Sequence, residues 1–403
     1  MFNVVVHTPD VVGERMAGPG IRASHLAREL AKHVPVTLIA KRESPSPGAS
    51  RHPLPASGER GTRDLRVESP SPRSRGEGAR RADEGASFLE HGSVAARVAL
   101  RGADVLIGQP ARAFRKRRRE QRVVYDLFDP TVLELRELYG SRPSLRQRVH
   151  LAAEWWRLSE ALMRADLLMC GAAKQREFYE RLQGGEASWI EVPFGVDMDE
   201  VRACEKPRDN IVVWGGGLWE WLDPAAAVDA IVRLNRDGLR AKLLFLGRSR
   251  PSVSPNVNFI ERRRDDRFDA LLARGGAHVS ANDEWVPYRE RLSWLRSGKI
   301  AIMLHRRTAE ADYSIRTRLF DAIAAATPVV ATAGGFAADL VEQEGLGIVV
   351  PPEDADAVAQ AIRTLLTDDE FHSACVERLE RIRPRFAWEV VTRPLVDAIL
   401  KWQ

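Results

Sequence analysis

Ser314-Ile315-Arg316-Thr317-Arg318-Leu319-Phe320-Asp321-Ala322-Ile323-Ala324-Ala325-Ala326-Thr327-Pro328-Val329-Val330-Ala331-Thr332 is the stretch on which the reading turns. It predicts a helix over 316–326 with Ser314 as a candidate cap, then a short buried strand at Val329–Ala331. The first turn of that helix carries two arginines. Cations there oppose the helix dipole, so they point to a purpose beyond helix stability. A helix N-terminus favours an anion, and guanidinium forks match phosphate oxygens. The bland alternative is a solvated helix with one Arg316–Asp321 pair. Gly334-Gly335-Phe336 follows the strand as a glycine turn facing the same crevice.

Outward from this stretch the same alternation of strand and helix continues. Strands are expected at Ile211–Trp214, Leu243–Gly247, Ile300–Leu304 and Ile348–Val350. Helices are expected at Ala225–Leu234, 287–297 and 355–367, the last with Val358, Ile362, Leu365 and Leu366 on one face. The first half repeats the pattern. Val4–His7, Val36–Ala40, Val105–Gly108, Val123–Asp126 and Leu167–Cys170 read as strands. Ala23, Leu26, Ala27, Leu30 and Ala31 make an apolar helical face between the first two. Val192-Pro193-Phe194-Gly195-Val196-Asp197 has the punctuation of a hinge. The expected fold is α/β: two Rossmann-like, doubly wound parallel-sheet domains facing across a cleft. They span 1–195 and 208–385, and a helix over 386–403 returns to the first domain.

Composition excludes other classes. A chain of 403 residues is too long for one ordinary core. No run of about 18 apolar residues is present, and Met1–Val6 reads as a strand rather than a signal peptide. Cys170, Cys204 and Cys375 are few, distant and odd in number. They argue against a disulfide framework or a cysteine zinc site, and for a cytoplasmic setting. The nine histidines are scattered without metal-ligand spacing, and neither a serine elbow nor a G-x-x-x-x-G-K-[ST] loop occurs. The formal charge is +5. Residues 41–85, rich in Pro, Ser, Gly and Arg, read as a disordered insertion; the alternative is a basic arm for nucleic acid or anionic lipid. The shortage of aromatic residues argues against nucleic acid. Arg112, Arg115, Lys116, Arg117, Arg118 and Arg119 form a basic run expected on a helix, either a solvated face or a peripheral contact with anionic lipid.

Candidate site residues gather at strand-to-helix junctions. Gly18, Gly20 and Arg22 lie in a glycine loop after the first strand, where a backbone can approach a ligand closely or merely turn. It is not G-x-G-x-x-G, and the second strand ends in Ala40-Lys41-Arg42, without the acid a nicotinamide cofactor needs. Asp126 and Asp129 end a strand of the first domain, with capping of the next helix as the alternative role for Asp129.

The segment Phe320–Thr332 resembles the donor-site signature of retaining glycosyltransferases of the GT-B fold, family 4, and so does Gly345–Pro352. Pro193–Asp197 is similar to that family's interdomain segment, and Gly18-Pro19-Gly20-Ile21-Arg22 to its first loop. The matches come in the family's order and span nearly the whole chain outside the insertion. The pairing of Trp214–Trp219 with Ser314–Arg318 resembles one subgroup. The resemblance implies transfer of a sugar from a nucleotide-diphosphate sugar, with retention and without a metal or resident cofactor. The acceptor is a glycan, a lipid-linked molecule or a small molecule. It places Asp321 at the donor ribose, and a second acid eight residues earlier, where this chain has Tyr313. Glu310 is the preferred substitute. The Arg/Lys pair expected after the first strand of the second domain is replaced by Gly215-Gly216-Gly217. The phosphate grip then falls to Arg316, Arg318 and Arg248, with Ser314 and Thr317 beside them. Two other readings stay open: a GT-B relative with epimerase chemistry, and a silent nucleotide-sugar binder.

Overall fold

The computed structural model describes residues 2–43, 85–182, 187–201, 209–247, 258–282 and 285–403. Among these residues thirteen strands form two sheets, in each of which every pairing is parallel. The first holds β1 (Val4–Val12), β2 (Val36–Arg42), β3 (Ser87–Glu90), β4 (Val105–Gly108), β5 (Arg122–Asp126), β6 (Leu167–Cys170) and β7 (Trp189–Glu191). The second holds β8 (Asp209–Trp214), β9 (Lys242–Phe245), β10 (Val279–Ala281), β11 (Gly298–Met303), β12 (Val329–Thr332) and β13 (Gly347–Val350). Central strands such as Val4–Val6 and Leu167–Cys170 are buried along their whole length, as sheets covered on both faces require.

Strand order places the site. It runs β3-β2-β1-β4-β5-β6-β7 in one sheet and β10-β9-β8-β11-β12-β13 in the other. The winding direction reverses between β1 and β4, and again between β8 and β11. A crevice opens at the carboxyl end of each reversal. Helices enter with local signals: Asp223 caps Pro224–Arg236 through Ala226 N at 3.1 Å, and Asp354 caps Ala355–Thr367 through Ala357 N at 2.9 Å.

The two halves share one apolar core running from Val4 and Leu26 through Phe194 to Leu319 and Val329. At the hinge, Val196 N donates to Phe386 O at 2.7 Å, and the chain after it turns back. Trp388 stacks on His25 at 4.7 Å and packs so closely on Gly195 that a Cβ there would lie 2.2 Å from the indole. This tail is broken into Trp388–Val391 and Arg393–Leu400 rather than one helix.

Several local expectations are corrected. β3, β7 and β10 were not foreseen; they are edge or near-edge strands of three or four residues, too short for a period to show. The helix after β1 already begins at Gly18, so Pro19 and Gly20 form its first turn rather than a loop. The basic run is a five-residue 3-10 turn, Arg112–Lys116, followed by non-helical chain. Consecutive like charges on a helix repel, and the link from β4 to β5 is short. Of the disordered insertion expected at 41–85, Lys41 and Arg42 instead end β2, and 44–84 lie outside the described residues.

Candidate active site

In the second domain β8 ends at Trp214 and releases Gly215–Gly217, while β11 ends beside it and leads to His305. A short helix, Ala309–Tyr313, follows, and the main helix spans Thr317–Ala325. Ser314 does not cap it. It terminates the short helix, its buried hydroxyl has no partner among the described residues, and Arg316 occupies the N-cap position.

The two arginines differ in their partners. Arg316 donates through both terminal nitrogens to the two carboxylate oxygens of Glu310, each at 2.8 Å. Glu310 is 1% exposed. The expectation that Glu310 faces a sugar is therefore corrected: both its oxygens hold Arg316. Arg318 turns toward the glycine loop. It donates to Gly217 O, and its guanidinium lies 5.3 Å from the Trp214 ring centre. Its second terminal nitrogen is buried without a partner, and no carboxylate pairs with it among the described residues. Burial, then the neighbouring Arg316, pulls its pKa down to about 9. It stays charged at neutral pH, at a helix N-terminus, without a counter-ion among the described residues. Gly216 has φ +74°, and a Cβ there would sit 3.3 Å from Arg318 Nε. Only glycine lets this loop pass so near the guanidinium without strain.

The crevice has further walls. Gly334 and Gly335 both adopt positive φ, and a Cβ on Gly334 would lie 3.2 Å from Asp312 Oδ1. His305 was missed in the sequence. Its amide donates to Thr332 Oγ1 at 3.1 Å, and burial and Arg316 hold its pKa below the usual imidazole value. Only its place at a strand end could have flagged it. Asp321 is engaged through one oxygen: Arg291 Nε donates to its Oδ1 at 2.8 Å, and the same guanidinium reaches Glu200 at 2.7 Å. Arg248 lies outside the described residues.

The first domain presents the opposite case. Arg22, 2% exposed, donates to Asp126 Oδ2 at 2.7 Å, to Asp126 Oδ1 at 3.1 Å and to Pro193 O at 3.1 Å. Each therefore occupies the other, and together they tie the sheet to the hinge while lining the pocket at the β1–β4 reversal. Gly20 is also a packing position, since a Cβ there would lie 2.3 Å from Val11 O. Asp129 is different. It does not cap the next helix, and its side chain accepts only from Gln109 Nε2, at 3.1 Å, among the described residues. Burial, followed by Asp10 and Asp126, raises its pKa to about 7. Asp10 is itself raised by burial. Asp126 and Gln109 line a pocket with His7, Thr8, Pro19 and Gly108, at the β1–β4 reversal.

The two crevices meet along a seam. A Cβ on Gly18 would lie 3.2 Å from Thr317 Cγ2, so the N-termini of the two helices abut. Gln175 Nε2 donates to Tyr313 O at 3.1 Å, and Tyr288 N donates to Glu14 O at 2.7 Å. Tyr313 stacks on Phe178 at 4.7 Å, which makes it a packing residue of the seam.

Two doubly wound parallel sheets joined by a hinge, with their switch-point crevices apposed and the tail crossing back, define the GT-B architecture. The second half carries a family signature as well: residues 209–368 match the model described as Glycosyl transferases group 1. No curated protein matches the chain. Among solved structures it is similar to sucrose-phosphate synthase from Thermosynechococcus elongatus, at 17% identity and TM-score 0.65 over 100% of this chain and 99% of that one. It is also similar to Anabaena Alr3699/HepE in complex with UDP and glucose, at 14% identity and TM-score 0.66 over 100% of both chains. WaaG, a glycosyltransferase involved in lipopolysaccharide biosynthesis, aligns at 15% identity and TM-score 0.64 over 98% of this chain and 99% of that one.

Proposed function

We propose that the protein is a glycosyltransferase that moves a sugar from a nucleotide-diphosphate sugar to an acceptor hydroxyl, with retention at the anomeric carbon and no resident metal or cofactor. The Glycosyl transferases group 1 match and the GT-B neighbours support sugar transfer. One observation carries the donor assignment: Arg318, half-buried and charged, with one guanidinium nitrogen buried and no counter-ion among the described residues, at the helix N-terminus beside Gly215–Gly217.

The chemistry follows from charge. When the anomeric C–O bond breaks, negative charge collects on the departing diphosphate and positive charge on the sugar. Arg318 and the free N–H groups of the Thr317 turn stabilise the first, and Glu310 holds Arg316 in place beside them. Asp129, near half-protonation at neutral pH, binds the acceptor hydroxyl from the other domain. UDP-sugars are the donors to try first, because the similar HepE structures hold UDP and UDP-glucose. The acceptor is a glycan, a lipid-linked molecule or a small molecule, and the cysteine usage supports a cytoplasmic setting.

A calorimetric panel of UDP, GDP, dTDP and ADP against the wild type and Arg318→Ala tests the donor site. One nucleotide should bind the wild type and lose most of its affinity in the variant. Equal affinity in both would remove the assignment.

A further inference from the structure

Nine large apolar side chains are exposed among the described residues, and six of them sit on two helices of the first domain. Leu145, Val149, Trp156 and Met163 lie on Leu145–Arg164, and Val94 and Val98 on Val94–Gly102. At 3.6 residues per turn the first four fall within about 40° of one another around the helix. They form a stripe along its outer side, Leu145 being 78% exposed and Trp156 51%. The inner sides of both helices and of the basic turn share one cluster, through Ala96, Phe114, Leu158 and Leu162. All three elements therefore cover the same face of the sheet and turn their other sides outward.

The charge on this outer face is one-sided. Arg112, Lys116, Arg118 and Arg119 are exposed, and Arg146 and Arg148 flank the start of the stripe. The two acids of the long helix are taken up: Glu154 by Arg157, and Glu160 by Arg115 and Arg164. Glu120 alone interrupts the basic run. Arg115 joins the two features, lying 3.8 Å over the Trp156 ring while bonded to Glu160.

We infer that this face docks on an anionic lipid surface. Separate apolar side chains rimmed by guanidinium groups suit a headgroup layer, where the apolar groups enter and the arginines reach phosphate. Stable peripheral binding takes two signals, apolar insertion and a basic patch, and both are here. Among the described residues no helix is long and apolar enough to cross a membrane. The inference does not depend on the sugar-transfer reading, and its test uses no donor.

Full-length protein is floated with phosphatidylcholine vesicles containing phosphatidylglycerol, and with phosphatidylcholine alone, at low and high salt. Binding is expected only with the anionic vesicles, and salt should weaken it. Each arginine or lysine near such a surface is worth roughly a fivefold change in partition. The triple variant Arg112→Glu, Lys116→Glu, Arg119→Glu should therefore bind at least about a hundredfold more weakly. Val149→Glu with Trp156→Glu should abolish binding, and Met163→Glu repeats the test on the same stripe should the double variant fold poorly. Absence of binding in the wild type, or full binding by the stripe variants, overturns the inference. So does a wild-type dimer that Met163→Glu splits without any flotation, because the stripe is then covered by a second copy of the chain.

Discussion

Two helices start at corresponding places in the two domains, each just beyond the crevice of its sheet, and each carries near its beginning an arginine turned inward, Arg22 buried and Arg318 half-buried. In Gly18–Ala31 that arginine is Arg22, and every direction in which it donates ends on a named acceptor: Asp126 twice and Pro193 O. In Thr317–Ala325 it is Arg318, which meets one backbone carbonyl and an indole ring and leaves a nitrogen unspent. The difference separates glue from site. A matched arginine fastens parts of the fold together. An unmatched one, desolvated and charged, carries a penalty that an arriving anion removes.

The sharpest break of this comparison is to delete both arginines in turn and measure stability. Arg22→Ala leaves Asp126 buried and uncompensated, and should cost about 3–5 kcal/mol in denaturant titration. Arg318→Ala removes a cation with no counter-charge among the described residues, so stability should hold or rise. Equal losses in the two variants would erase the distinction.

Catalysis should show the reverse order. Arg318→Ala should lower kcat by about 10²–10³-fold, the usual loss for one donor to a developing oxyanion. With Arg318 titrating at about 9, nucleotide affinity in the wild type should decline as pH rises past that value. Direct calorimetry between pH 7 and pH 10 reads it, and a flat profile would move the anion elsewhere.

Why was one half of this comparison legible in the sequence and the other not? Arg316 and Arg318 break a local rule, cations at the wrong end of a helix, and a rule broken locally is visible locally. Their partners are not. Glu310 reaches Arg316 because a short helix and a turn bring it round, and Asp126 meets Arg22 across 104 residues of chain. Pairing of that kind leaves no period or spacing behind. The sheets were readable for the opposite reason, since fully buried strands such as Val329–Thr332 announce themselves by continuous apolar runs. β3, β7 and β10, with three or four residues each at or near sheet edges, do not.

Asp129 supplies a third contrast, with Asp126. Its folded pKa is raised from 3.8 to about 7, so the folded state holds a proton that the unfolded chain gives up. The sign is then fixed. The penalty is absent below about pH 4, grows as pH climbs toward 7, and is complete above it. Asp129→Asn, which keeps the acceptor for Gln109, should match the wild type near pH 4 and exceed it at pH 8. The gain should be roughly 1–3 kcal/mol after allowance for solvent at a half-buried group. Glu200, also raised to about 7 by burial, contributes the same slope to both proteins and cancels in the difference. Identical thermal midpoints at pH 8 would show that Asp129 is ionised without strain. The variant should also lose acceptor affinity if this carboxyl meets the hydroxyl.

The smallest effect tests the seam that brings these regions together. Tyr313 stands where the resemblance calls for an acid, yet its ring stacks on Phe178 at 4.7 Å and its carbonyl receives Gln175 at 3.1 Å. Packing across the domain boundary is the role that geometry gives it. Tyr313→Phe should keep the stack and leave stability unchanged. Tyr313→Glu should lose about 0.5–1.5 kcal/mol, the value of an aromatic pair, and add a charge beside a closed seam. If the position were instead a catalytic acid lost by substitution, Tyr313→Glu would raise the transfer rate. A rise in kcat would return Tyr313 to the reaction, whereas a fall in melting temperature with no gain in rate keeps it in the scaffold.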